Sequence, residues 1–317
     1  MEPYDIAIVG SGPAGCTAAI YAARANLKTL VVAGYEAGGQ LMITSDVENY
    51  PGFAEAITGP ELMKRMRAQA ERFGARFVDE DATAVDFTVR PFRVTSDSGT
   101  HAARTVIVAT GSSAKWLGLP SETRLRGHGV SACATCDGFF FQGKRVVVVG
   151  GGDSAMEEAL FLTKYATEVT IVHRRDSFKA SKIMAARAVA HPKIKVVWDT
   201  VVTEILGRER VEGVRLQNLK TQKESSLACE GYFSAIGHNP NTALVKGQLR
   251  LDEAGYVMPE GPHETSTSVE GVFVAGDVFD HRYKQAVTAA GSGCKAAIDA
   301  EKWLEGQKAA PGAARSL

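Results

Sequence analysis

Cys133 and Cys136, three positions apart and followed at once by the carboxylate of Asp137, are the part of this sequence best equipped for chemistry. Thiols at that spacing can close a disulfide in a small ring that leaves both sulfurs accessible. The same arrangement lowers the pKa of one thiol until it supplies a thiolate at neutral pH. Asp137 is placed to give or take the proton that each cleavage step requires. The other chemistry open to a Cys-x-x-Cys segment is half of a zinc site, which needs a second Cys pair or a His pair at ligand spacing. The sequence has neither: Cys16, Cys229 and Cys294 stand singly, and the seven histidines are scattered. The reading is therefore redox exchange with no metal, and it demands a source of electrons.

Two glycine-rich turns answer that demand. Asp5 to Gly10 is an apolar run suited to a buried parallel strand, and Gly10-Ser11-Gly12-Pro13-Ala14-Gly15 opens an Ala-rich helix expected to run to about Asn26. In this context Gly10 permits the turn, Gly12 lets a pyrophosphate approach the backbone, and Gly15 lets helix and strand pack closely. The N–H groups at the helix start face the phosphates. The second strand, Lys28 to Ala33, ends without the acidic residue that usually holds a ribose hydroxyl, and Glu36 comes three residues late, so the residues alone leave this dinucleotide unidentified. Gly38-Gly39-Gln40-Leu41 and the segment around Asn49 read either as ordinary turns or as amides able to bond the polar edge of a flavin.

The second turn repeats the first. Arg145 to Gly150 is a run of valines, and Gly150-Gly151-Gly152-Asp153-Ser154-Ala155 opens a helix expected to reach Tyr165. Gly150 follows Gly10 by 140 residues, and the strand ends Val32 and Val172 are also 140 apart, which marks a duplicated unit. The copies differ where specificity is set: after Val172 come His173-Arg174-Arg175 and then Lys179. A cationic cluster in place of a carboxylate favours a 2′-phosphate, and hence NADPH over NADH, although Lys179 is a point charge rather than a fork.

Further buried strands are expected at Thr105 to Gly111, Val196 to Trp198, Val211 to Leu216, Gly231 to Ile236 and Gly271 to Gly276. An amphipathic helix is expected over Glu61 to Phe73, and a helix from about Gln285 to Leu304. Asp277, at the end of the last of these strands, reads as a cap or as a ligand for sugar hydroxyls. Glycine- and proline-bearing segments near Ser112 to Pro120 and Gly237 to Asn241 read as linkers. The predicted fold is therefore α/β, with two Rossmann-like three-layer domains and the second inserted into the first. The outer domain is expected at 1–113 and 245–317, the inner one with the cysteine pair at 114–244, and a disordered tail from Ala309 to Leu317.

Lysine plus arginine equal aspartate plus glutamate, 36 against 36, a balance that argues against nucleic acid or an anionic membrane surface as partner. Entry into a strand by Tyr4 is expected to leave no room for a signal peptide, and no apolar run approaches a membrane span. Five mostly unpaired cysteines suit a reducing compartment, so the expected location is the cytoplasm.

Taken together, these motifs resemble the low-molecular-weight thioredoxin reductase family over almost the whole chain. The resemblance rests on Gly10 to Gly15, Gly38 to Gln40, Val47-Glu48-Asn49, Cys133 to Asp137, Gly150 to Ala155, His173 to Arg175 and Gly276-Asp277, in the family's order and spacing. It implies FAD at the first fingerprint, contacted by Ser11 to Ala14, Glu36 to Leu41, Asn49, Asp277 and Lys284-Gln285-Ala286-Val287. It implies NADPH at the second, contacted by Ser154, His173, Arg174, Arg175 and Lys179. It also implies a homodimer, with thioredoxin as a transient protein substrate. Cys136 would face the flavin, Cys133 would attack the partner, and Asp137 would be the acid and base. Three positions depart from the family pattern, which has arginine at Lys179, Lys284 and His128.

The resemblance carries a geometric requirement. The disulfide and the nicotinamide site share the inner domain while the flavin belongs to the outer one, so the inner domain is expected to rotate about the linkers near Ser113 and His238. Phe139-Phe140-Phe141, directly after the redox pair, reads equally as core or as a docking surface. The pair is expected to titrate near the potential of thioredoxin, about −270 mV. Two other readings use the same motifs. A flavin-dependent dithiol oxidase would not need the His173-Arg174-Arg175 cluster, and a redox-sensing flavoprotein would not be reduced promptly by NADPH.

Overall fold

A computed structural model describes residues 2–44 and 46–309. The chain forms two units, one made of the residues up to Ser113 and from Asn239 onward, the other of Ala114–His238. The return crossing thus comes earlier than the 244/245 boundary expected from sequence. Asn241 gives the reason: its side-chain amide donates to Thr110 O at 2.9 Å, its carbonyl accepts from Thr110 Oγ1 at 2.7 Å, and its N–H donates to Gly111 O at 3.0 Å. These three bonds fix Asn241 to the first unit. The segments that cross between units, Ser112–Ala114 and His238–Pro240, pair with each other as a two-stranded ladder.

In the first unit, parallel strands Arg76–Val78, Thr29–Val32, Tyr4–Val9 and Gly99–Val108 lie side by side in that order. The long strand Gly99–Val108 then changes partner along its length. Its first half pairs antiparallel with Phe92–Ser96, and its last three residues pair parallel with Val272–Val274. The second unit repeats this order with Ile194–Val197, Glu168–Val172, Arg145–Val149 and Gly231–Ser234, and its fifth strand is Val130–Ser131. The fifth strand comes from the far C-terminal part of the chain in one copy and from just inside the insertion in the other.

Both central strands read as unbroken apolar runs because both faces of each parallel sheet are buried: helices cover one face, and the other packs against antiparallel strands of the same unit, through Val85, Phe92 and Val94 in the first and Val202, Ile205, Val214 and Leu216 in the second. Helix Pro13–Arg24 buries Ala14, Cys16, Ala18, Ala19, Ile20, Ala22 and Ala23, so it is apolar on nearly every side. It lies among the sheet, helix Gly59–Arg72 and the C-terminal helix Ala286–Ala309. A methyl group on Gly293 would overlap the carbonyl oxygen of Ala14, so the C-terminal helix packs backbone against backbone there.

Among the elements not anticipated from sequence are helix Lys182–Ala190 and strands Thr200–Leu206 and Glu224–Ala228. The helix leaves Ile183 and Val189 exposed, and Glu224–Ala228 is a polar edge strand with little buried surface, so neither carries a clear apolar period. Ala309, expected to open a disordered tail, instead closes the C-terminal helix, and the rest of that expectation lies outside the described residues. No described helix is long and apolar enough to cross a membrane.

Candidate redox centre and dinucleotide sites

Cys133 and Cys136 form a disulfide, S–S 2.08 Å and Cα–Cα 5.3 Å, on the one-turn helix Ala134–Asp137. Cys133 is the residue before the first helical one, and the Cys136 N–H donates to Cys133 Sγ at 3.2 Å. The hydroxyl of Thr135 lies 3.3 Å from the same sulfur, and the Cys133 N–H donates to Ser131 Oγ at 3.0 Å. Buried Ala134 anchors the turn, and Gly138 rests against Phe161, Leu162 and Tyr165 of the neighbouring helix and its C-terminal turn. Burial raises the pKa of Asp137, against a smaller lowering by a hydrogen bond from Ser131. Asp137 therefore holds its proton to higher pH than an ordinary carboxyl, as an acid catalyst in thiol exchange should. The three phenylalanines divide: Phe141 is buried with its ring 5.1 Å from that of Phe233, whereas Phe139 is 56% exposed.

In the first unit Ser11 is buried, and its hydroxyl donates to Ala33 O at 2.7 Å while accepting from the Gly38 N–H at 2.9 Å. One side chain thus ties the first glycine turn to the end of the second strand and to the Gly38-Gly39 turn. Helix Pro13–Arg24 starts without an acidic residue or a side-chain cap, and a methyl on Gly12 would meet nothing within 4 Å. That leaves uncapped N–H groups beside open space, the cradle a pyrophosphate fills. Gly276 packs against Ala14, and its N–H is held by Ser292 Oγ at 2.8 Å, which brings Asp277 beside the same helix start. Burial, together with the charge of Asp280, pushes the Asp277 carboxyl up to about 7, with Lys284 opposing. A shielded carboxyl at this position suits the hydroxyls of a flavin's ribityl chain. Asn49 Nδ2 donates to Gln285 Oε1 at 3.3 Å, so those two predicted residues come together, and the exposed side chains of Gln40 and Glu36 lie in adjoining turns. The residues present fit FAD.

In the second unit Gly152 opens helix Asp153–Leu162 with free space where a methyl would sit, and Ser154 is exposed in its first turn. Ala155 is fully buried in the core, and Asp153 accepts from the Ser181 N–H at 2.9 Å. The loop after strand Glu168–Val172 folds back so that the Lys179 N–H donates to Gly151 O at 2.7 Å. Arg174, Arg175 and Lys179 are exposed along this loop, a positive edge suited to the 2′-phosphate of NADPH. His173, expected in the same cluster, is turned inward. Its ring is buried against Gly151 and lies 5.4 Å from that of Phe178, with Nε2 3.0 Å from Ser177 O, and desolvation lowers its pKa. It contributes shape rather than charge, so the cationic edge comprises two arginines and one lysine.

Sequence reasoning missed Ser292 and Gly293, which sit inside a helix where only partners from elsewhere in the chain give them a role, the Gly276 N–H for Ser292 and the backbone of Ala14 for Gly293. It also missed Trp198, whose ring stands 4.4 Å from Phe178 and supports the loop of the positive edge.

The profile of the family described as pyridine nucleotide-disulphide oxidoreductase matches residues 4–293. The chain is 57% identical over 304 residues to the thioredoxin reductase of Mycolicibacterium smegmatis, covering 96% of this chain and 97% of that one. It is 56% identical over 302 residues to the thioredoxin reductase of Streptomyces coelicolor, covering 95% and 94%. Among solved structures, thioredoxin reductase from Giardia duodenalis superposes with a TM-score of 0.92 at 47% identity, covering 96% of this chain and all of that one. With a disulfide and two glycine cradles arranged as described, the chain belongs to the pyridine nucleotide-disulphide oxidoreductase family and groups there with the thioredoxin reductases.

Proposed function

We propose that this chain is an NADPH-dependent thioredoxin-disulfide reductase. The observation that carries the reading is a Cys133–Cys136 disulfide in the same unit as an arginine-edged glycine cradle, with a second cradle in the other unit. Bound FAD would supply the two-electron relay between NADPH and the disulfide. Ser11 to Ala14, the turn from Glu36 to Leu41, Asn49, Asp277 and Lys284 to Val287 would hold it, and Ser154, Arg174, Arg175 and Lys179 would hold NADPH.

Once the disulfide is open, the Cys136 N–H and the Thr135 hydroxyl lie on Cys133 Sγ, so the negative charge is best stabilised there. Cys133 then attacks one sulfur of the thioredoxin disulfide. A mixed disulfide forms, and the expelled thiolate takes a proton, which Asp137 gives. The thiolate of Cys136 then attacks Cys133 Sγ and displaces the thioredoxin sulfur, restoring the internal disulfide and releasing a second thiolate to be protonated. Two electrons and two protons leave with the reduced partner. Phe139 offers that partner an exposed aromatic contact next to the exchange site.

The reading includes rotation of the inner unit about its two crossings, because one disulfide must serve both a flavin and a protein. It also includes a homodimer in the cytoplasm, supported by the family likeness and by three further cysteines outside the disulfide. Anaerobic mixing of the yellow holoprotein with NADPH is the test. Prompt bleaching followed by reoxidation on adding thioredoxin is expected. Absence of bleaching, or bleaching that only oxygen reverses, contradicts the reading.

A further inference from the structure

Lys220 lies far along the chain from the positive edge, in the turn between strands Gly213–Asn218 and Glu224–Ala228. Its Nζ stands 3.2 Å from Asp176 Oδ2 and 3.0 Å from Asp199 Oδ2. Asp176 directly follows Arg175, and the Asp199 N–H donates to Arg175 O at 3.2 Å. Two carboxylates therefore adjoin the arginines, and one ammonium faces both. Asp199 is in the left-handed region at φ 52°, and its side chain is 19% exposed, so it is fixed in place. The turn that presents Lys220 is fixed as well. Asn218 Oδ1 accepts from the Lys220 and Thr221 N–H groups at 3.0 and 2.9 Å, and the Leu219 N–H donates to Asp199 O at 2.6 Å.

We infer that Lys220 is a positioning residue for NADPH specificity. It holds the carboxylates of Asp176 and Asp199 away from Arg174 and Arg175 and offsets their charge, leaving the guanidinium groups free for a 2′-phosphate. Without it, Asp176 turns to its arginine neighbours and competes with the phosphate, and both carboxylates repel the incoming dianion. The inference rests on the reading that Arg174 and Arg175 take that phosphate, and it concerns selectivity between the two nicotinamide cofactors.

The test compares Lys220→Met, Lys220→Arg and Arg175→Ala with wild type, each as oxidised holoprotein. Calorimetry measures binding of 2′,5′-ADP, which carries the 2′-phosphate, and of 5′-AMP, which does not. At low salt the Met variant should bind 2′,5′-ADP about fivefold more weakly with 5′-AMP unchanged, and the Arg variant should restore the affinity. At about 0.5 M salt the difference should largely vanish. Thermal midpoints and flavin absorbance confirm that each variant is folded. If Arg175→Ala weakens 2′,5′-ADP but Lys220→Met does not, or if Lys220→Met weakens both ligands equally, the inference is wrong and the site reading stands. If Arg175→Ala has no effect, the site reading falls and takes the inference with it.

Discussion

Replacing Asp277 by asparagine separates the demands of folding from those of flavin binding. Burial and the neighbouring Asp280 hold the Asp277 carboxyl at about 7, well above the usual carboxylate range. A carboxyl raised in the folded state binds its proton more tightly there than in the unfolded chain. Its contribution to stability is complete below about pH 4 and is lost as pH rises towards 7. The apoprotein should therefore lose about 4 kcal/mol across that window through this group, and asparagine, which does not ionise, should remove the loss. Flavin-free Asp277→Asn protein is expected to match wild type near pH 4 and to be more stable at pH 8. The holoprotein should behave in the opposite way, because a carboxylate accepts from ribityl hydroxyls more strongly than an amide does. FAD affinity should fall by about tenfold or more. Urea denaturation of both apoproteins from pH 4 to 8, with flavin titration by fluorescence quenching, measures both effects. Equal pH dependence in the two apoproteins, or undiminished FAD affinity in the variant, refutes the reasoning.

Phe139→Ala should raise KM for thioredoxin with little change in stability. Phe141→Ala should cost about 3–5 kcal/mol in urea unfolding, since only the latter ring is buried. Asp137→Asn should slow exchange with thioredoxin while leaving anaerobic NADPH bleaching of the flavin intact, and the slowing should grow as pH falls into the range where the raised carboxyl is protonated. Gly293→Val should prevent accumulation of soluble holoprotein, because its side chain would overlap the backbone of helix Pro13–Arg24. Recovery of normal flavoprotein from that variant would show that the two helices can separate at little cost.

The glycine turns, their shared spacing and the flanking valine runs made the duplicated sheet legible from sequence, since these are local patterns with one dominant structural solution. Features set by distant neighbours were not legible. His173 ends a strand beside two arginines, and nothing in its immediate sequence shows that its ring turns under the loop rather than outward. Lys220 joins the same edge from another sheet, and Asn241 belongs to the outer unit only through bonds to Thr110 and Gly111. Phe139 and Phe141 have the same side chain two residues apart, and only the packing of the turn separates surface from core. Gly12, with open space beside it, and Gly15, packed on the Gly10 backbone, fall as the motif requires because the motif is itself a description of backbone geometry.

In the proposed reaction every electron that reaches thioredoxin passes through the Cys133–Cys136 bond. Stopped-flow absorbance of Cys136→Ser protein measures both halves of that route in a single experiment. Rapid bleaching of the flavin by NADPH with no reduction of thioredoxin above background is expected. Thioredoxin turnover at the wild-type rate in that variant would contradict this route.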